Sequence, residues 1–167
     1  KDLQIIRKNI KKGFVQSEYK KNFNKKALFY ATLFHDIGKG KGGMHNIKGA
    51  KIAKKIVLKL NETKKTANDT HWLVNNHSLL SDYAFNRDIE DYSILTKISH
   101  RIKTVSKLRA LFLLTVADIS AVDQGIWNNW KSTLLSKLYL KLELYIKYPK
   151  RNVSLNEKIE NIKLKIL

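Results

Sequence analysis

The sequence predicts an all-α domain. Chain breakers are scarce, with one proline, at 149, and seven glycines, four of them inside Gly38–Gly43. Apolar residues recur with a 3.6-residue period along most of the chain. No segment alternates apolar and polar side chains as a half-buried strand would. At 167 residues and 43% hydrophobic content, the chain has the length of one domain and the means to bury a core without disulfides.

Each element follows from local pattern. Lys26–Ile37 is apolar nearly all round and stops at Gly38, as a buried helix with a glycine stop should. Asn46 can cap a second helix whose Ala50, Ala53, Ile56, Val57 and Leu60 stay in phase until about Asn61. Its other side, Lys48, Lys51, Lys54, Lys55 and Lys59, reads as a solvated lysine stripe. Thr66 can cap a third helix, with Thr70, Leu73, Val74 and His77 on one face. Asp91 heads a segment with Ile94, Leu95, Ile98 and Ile102 in register, and Thr104 one with Leu108, Leu111, Phe112, Thr115, Asp118 and Val122. A long helix from about Ile126 carries Trp127, Trp130, Leu134, Leu138 and Leu142 and ends before Pro149, which cannot continue it. Ser154-Leu155-Asn156-Glu157 is a capping-box string that opens a short helix with Ile159, Ile162 and Ile166.

The net charge of +19 first suggests a nucleic acid or an anionic membrane as partner. Its distribution argues otherwise. Lysine supplies 28 of the 33 basic residues, and the excess lies at the two ends: residues 1–60 carry 16 basic and 3 acidic side chains, residues 131–167 carry 9 and 3, and residues 61–130 carry 8 of each. Nucleic-acid surfaces interleave arginine and aromatic residues with their charge, so nucleic acid is not the expected partner. No stretch approaches the ~18–20 uncharged residues of a membrane span, so no membrane segment is expected. The absence of cysteine excludes disulfides and thiolate metal sites and fits a reducing, cytoplasmic compartment. The chain starts at Lys1 without an initiator methionine and reads as part of a longer protein.

The polar residues that interrupt apolar helices are the candidates for function. His35 and Asp36 close the apolar run Ala27–Phe34, Asp118 interrupts the run Leu111–Val122, and His77 follows Leu73 and Val74 by one turn. Burying an unpaired carboxylate costs several kcal/mol, so a compensating group is required. A divalent cation shared by these side chains would remove the penalties together, since carboxylate oxygen and imidazole nitrogen suit Mg, Mn, Fe or Zn. The alternative is a set of separately satisfied core groups, with Lys39 pairing Asp36.

His35-Asp36 followed by Ile37, Gly38 and Lys39 resembles the signature of the HD superfamily of metal-dependent phosphohydrolases. The likeness extends through His45-Asn46-Ile47-Lys48-Gly49, Trp72–Ser81, Arg87-Asp88-Ile89, Leu113–Ile119 and Trp127–Lys131. In that order these segments resemble the HD domain of bacterial bifunctional uridylyltransferase/uridylyl-removing enzymes, which act on the PII nitrogen-signalling protein. The resemblance implies an HD-domain helical bundle over residues 1–148 and a C-terminal helical extension over residues 149–167. It implies metal ligation by His35, Asp36 and Asp118, with His45 and His77 completing a second site. It also implies a divalent metal, Mg or Mn foremost with Fe or Zn compatible, and removal of UMP from a uridylylated tyrosine of PII. Asp36 would orient the attacking water, Lys39 would contact phosphate and Arg87 phosphate or the PII partner; with one metal instead of two, His45 and His77 would supply phosphate contacts and a proton donor. Arg87 could equally pair with Asp88 or Glu90, and Trp127 and Trp130, three residues apart on a helix, read as core residues although with Lys131 they match a family motif. His71 and His100 match no motif position. The superfamily's first ligand is a histidine before the dyad, and none precedes His35; family spacing would put it upstream of Lys1. Two other functions stay open: another HD-type nucleotide phosphohydrolase or phosphodiesterase, and a catalytically silent basic helical module that binds nucleic acid.

Overall fold

The computed structural model of the chain describes residues 13–40, 42–122 and 129–149. In chain order its helices are α1 (Phe14–Lys20), α2 (Lys25–Phe34), α3 (His45–Lys59), α4 (Lys64–Asn75), α5 (Leu79–Asn86), α6 (Tyr92–Ile102), α7 (Val105–Val122) and α8 (Asn129–Lys147). The all-α expectation is met, and among the described residues there is no strand. None of these helices is long and apolar enough to cross a membrane.

Helix α7 is the axis of the bundle. Leu108 and the run from Ala110 to Ala117 are buried on every side, as expected of a helix apolar all round. It packs against α1, α2, α4, α5, α6 and α8. Phe112 of α7, Tyr139 of α8 and Phe14 of α1 meet ring to ring, with centroids 4.7 to 5.7 Å apart. On the other side, α2 buries Ala27, Leu28 and Ala31 and contacts α3, α4 and α7. Its alanines, with Gly49, Ala50 and Ala53 of α3, allow close approach of backbones.

Helix boundaries differ from the sequence expectations where a neighbouring residue offers better chemistry. Helix α2 is capped by Asn24, whose side chain accepts from the Ala27 amide at 3.0 Å, and it ends at Phe34 instead of Ile37. Beyond it the chain tightens into i to i−3 turns, with Ile37 N donating to Phe34 O at 3.1 Å and Lys39 N to Asp36 O at 2.9 Å. Nor is α2 buried all round, since Phe29 and Leu33 are 38% and 55% exposed. Helix α3 starts after Met44, which takes a left-handed φ of 62°, so Asn46 lies in the first turn and is not the cap. Thr63, not Thr66, caps α4 by accepting from the Thr66 amide at 3.1 Å. Helix α4 ends at Asn75, which removes His77 from its face. Leu60 and Trp130 are exposed, Trp130 stacking on Phe85, so neither is the core residue its spacing suggested.

Other expectations hold. Asp91 accepts from Ser93 N at 2.8 Å, and Thr104 Oγ1 accepts from Lys107 N at 3.3 Å. Lys48, Lys51, Lys55 and Lys59 are exposed, with Lys54 half-buried. Helices α1 and α5 have no counterpart in the sequence reading, being 7 and 8 residues long and so too short to declare a period. Trp127 and the Ser154–Glu157 string lie outside the described residues.

A buried charge cluster ties α1 to α7 and α8. The Glu18 carboxylate, 1% exposed, accepts from Arg109 Nε at 2.9 Å, from the Tyr139 hydroxyl and from Lys21 Nζ. Arg109 also donates to the Asn22 carbonyl at 3.1 Å. Burial pushes the Glu18 carboxyl up, but the bonds from Lys21, Tyr139 and Arg109 outweigh it and hold it below the ordinary 4.5. Tyr139 is shifted the other way by burial and by Glu18, so its hydroxyl stays a donor.

Two outcomes are expected. Glu18→Gln leaves Arg109 short of a buried counter-charge and should cost about 3–5 kcal/mol at pH 7 in urea unfolding. Because the folded-state pKa of Glu18 is depressed, its ionic contribution is complete above about pH 4.5 and is withdrawn as pH falls through the folded value. The gap between wild type and variant should therefore narrow in acid; a gap independent of pH would refute the assignment. At Gly38, an added Cβ would lie 2.1 Å from the His45 carbonyl oxygen and 2.7 Å from Gly49 N. Gly38→Ala must push the turn off α3, an expected loss of about 2–4 kcal/mol in the same measurement.

Candidate metal centre

Three elements bring the polar residues together. His35 is the C-terminal cap of α2, Asp36 begins the tightened turn after it, and Asp118 projects from α7. His35 Nε2 lies 3.3 Å from Asp36 Oδ2 and 3.3 Å from Asp118 Oδ1. One atom from each of the three residues falls within 4.8 Å of the others. His77 sits in the turn between α4 and α5, with its Nε2 3.9 Å from Asp36 Oδ1. Its ring is 5.6 Å from the His35 ring and 6.0 Å from the His45 ring.

Backbone carbonyls set the direction of two of these imidazoles. Thr32 O accepts from His35 Nδ1 at 3.0 Å, and Val74 O accepts from His77 Nδ1 at 2.8 Å. A carbonyl can only accept, so Nδ1 carries the proton and Nε2 is the atom turned to the carboxylates in both residues. The same arrangement orients histidines in metal sites.

The carboxylates are less buried than the sequence suggested. The Asp36 and Asp118 side chains are 36% and 32% exposed, against 13% for His35. The reason lies in the fold: the site opens at the C-terminal end of α2 instead of inside it. The charges are nevertheless coupled. The His35 hydrogen bond pulls the Asp118 carboxyl below the ordinary carboxylate value, against the effect of burial. Burial would lower the His35 imidazole, but Asp118, the Thr32 carbonyl and the Asp36 charge together raise it above 6.5.

Lys39 Nζ is 2.6 Å from Asp36 Oδ2, a salt bridge at the mouth of the site. Arg87 is exposed at the end of α5, and among the described residues no contact joins it to the cluster. It is not paired with its acidic neighbours either: Asp88 accepts from the Glu90 amide at 2.8 Å, and Glu90 pairs with Lys141. His71 is half-buried and His100 exposed, both outside the cluster.

The residues present fit a divalent cation. Asp36 Oδ1 is buried and has no hydrogen-bond partner, an unmet acceptor beside a second carboxylate and two imidazole Nε2 atoms. Oxygen and nitrogen donors without sulfur suit Mg, Mn, Fe or Zn. Sequence reasoning missed Asn76 and Arg101, which hold the turn that carries His77. The one available signal was a double asparagine, Asn75-Asn76, where a helix should stop.

A helical bundle with a His-Asp pair closing one helix and an aspartate facing it from another defines the HD class. The HD domain model matches residues 4–121, and the chain belongs to that family. The chain is 44% identical over 120 residues to the bifunctional uridylyltransferase/uridylyl-removing enzyme of Zymomonas mobilis, covering 71% of this chain and 13% of that protein. It is 43% identical over 120 residues to the enzyme of the same name from Azospirillum brasilense, and 42% identical over 115 residues to that from Vibrio atlanticus, covering 72% and 69% of this chain. The chain thus spans about 13% of the length of each of these relatives. No solved structure matches it.

Addition of Mn²⁺ to metal-stripped protein should raise the melting temperature, because a ligand that binds only the folded state stabilises it by mass action. Asp36→Ala and Asp118→Ala should each abolish most of that rise. An undiminished rise in either variant would place the cation elsewhere.

Proposed function

We propose that this domain hydrolyses a phosphodiester with the aid of a divalent metal, and that its substrate is the uridylylated tyrosine of a PII signalling protein. The observation that carries the reading is the convergence of His35 Nε2, Asp36 and Asp118 beside an unmet Asp36 oxygen. Support for the substrate comes from the relatives, which are named uridylyl-removing enzymes.

His35, Asp36 and Asp118 would hold the metal, with His77 and His45 completing a second position. When bound, the ion would supply charge neutralisation at phosphorus and a water acidic enough to act at neutral pH. The chain's own groups do the rest. Asp36, with one oxygen toward His35 and the other toward His77, orients the attacking water. The leaving group is a tyrosine phenolate of pKa about 10, which departs more readily if it is protonated. With a single metal His77 is left unligated, and as an imidazolium, protonated at Nε2 as well as Nδ1, it would give the Nε2 proton to the departing phenolate. Lys39, now on Asp36, can reach a phosphate oxygen once the charge of Asp36 is met by a cation. Arg87, exposed and unpaired with Asp88 or Glu90, is left to contact phosphate or the partner protein at a distance from the cluster.

The test is release of UMP from uridylylated PII by the intact protein with Mn²⁺ or Mg²⁺. Asp36→Ala and Asp118→Ala should each lower kcat by about 100-fold or more, the scale of losing a group that acts on the transition state. Chelation should reproduce the loss. Hydrolysis of free nucleotides with none on uridylylated PII would point instead to another HD-type phosphohydrolase. Retained UMP release in the Asp36 variant would sink the assignment.

A further inference from the structure

We infer that Arg101 is a positioning residue for His77, acting through Asn76; this rests on the role given to His77 above. His77 belongs to no helix. It lies in the turn from α4 to α5, so its place depends on what fixes that turn. Asn76, 3% exposed, fixes it with all its polar groups. Its amide donates to Leu73 O at 3.1 Å, its carbonyl accepts from Leu79 N at 2.9 Å, and its Nδ2 donates to Trp72 O at 2.7 Å. Each of these three bonds is local. The fourth, from Arg101 Nε to Asn76 Oδ1 at 2.6 Å, crosses 25 residues of sequence from the last turn of α6.

That bond has features of a device for orientation. Arg101 is exposed, yet its Nε is committed to a neutral, buried amide oxygen instead of a carboxylate. The bond determines which way the Asn76 amide faces: Oδ1 must meet Arg101, so Nδ2 must meet Trp72 O. With the amide locked, the next residue's ring is delivered to Val74 O through Nδ1 and to Asp36 Oδ1 through Nε2. Without Arg101, the amide can turn over and the turn that presents the His77 ring to Val74 O loosens. The guanidinium is suited to this because Nε–H is held in a rigid planar fork, which a lysine ammonium cannot reproduce.

The experiment uses intact protein labelled with ¹⁵N-histidine, with His77 assigned by His77→Gln, and compares wild type with Arg101→Met and Arg101→Lys. In metal-free wild type, His77 should show one tautomer, protonated at Nδ1. Both Arg101 variants should still unfold cooperatively, with a melting temperature within a few degrees of wild type, show displaced or averaged His77 ring signals, and lose about 10–100-fold in kcat for Mn²⁺-dependent release of UMP from uridylylated PII, whose tyrosine leaving group needs the proton, with KM changed less than twofold. Unchanged His77 signals in both variants would overturn the inference whatever the activity. Full recovery of signals and kcat by Arg101→Lys would also overturn it, since charge and not the fork would then be what matters. If wild type hydrolyses no phosphodiester, the proposed function fails, while the His77 signals still decide the role of Arg101.

Discussion

Two carboxylates face one imidazole nitrogen, each 3.3 Å from it, and their mutual repulsion favours positive charge between them. Much of the site answers that demand. His35 is raised in pKa and binds a proton more tightly than a free imidazole would, Asp118 is lowered by the same contact, and Lys39 leans onto the outer oxygen of Asp36. A proton, an ammonium group and a divalent cation are three solutions to one electrostatic problem. A cation would also satisfy the Asp36 oxygen that no protein group bonds.

Holding like charges together requires stiff supports, and these are found at helix ends. The backbone of Gly38 lies so close to α3 that no side chain fits between them, which fixes the turn carrying Asp36 relative to His45. Thr32 and Val74 lend carbonyls that aim the two imidazoles. Behind them, the Ala110–Ala117 stretch of α7 is buried on all sides and gives Asp118 a firmly packed base. The Glu18, Arg109 and Tyr139 cluster pins α1 and α8 to that same helix. Among the described residues, neither Glu18, Arg109 nor Tyr139 bonds a member of the His35 cluster.

Much of this was legible in the residues. The 3.6-residue period and the scarcity of breakers gave the fold class, and the Asp91 and Thr104 caps sit where they were expected. The interruption of apolar helices by His35, Asp36, His77 and Asp118 picked out the cluster, because polar groups in apolar runs need partners. Other features were invisible for physical reasons. Thr63 and Thr66 are both competent caps, and only the packing of α4 chooses between them. Asn46 was displaced as a cap by a left-handed Met44, a backbone conformation that no propensity for methionine foretells. The degree of exposure of Asp36 depends on α2 stopping at Phe34, which a run continuous to Ile37 does not disclose. Arg101 and Asn76 meet through tertiary structure alone.

The donor atoms come from opposite halves of the described chain, α2 and its turn on one side and α7 on the other. Neighbouring helices such as α3 and α4 can dock early, since little loop entropy opposes them. The two carboxylates meet only when α2 has seated on α7. A partly folded chain, newly made or transiently opened, therefore has no chelating constellation with which to capture an ion. Any selection among competing metals would fall to the finished fold, where ring orientation and donor spacing are already set.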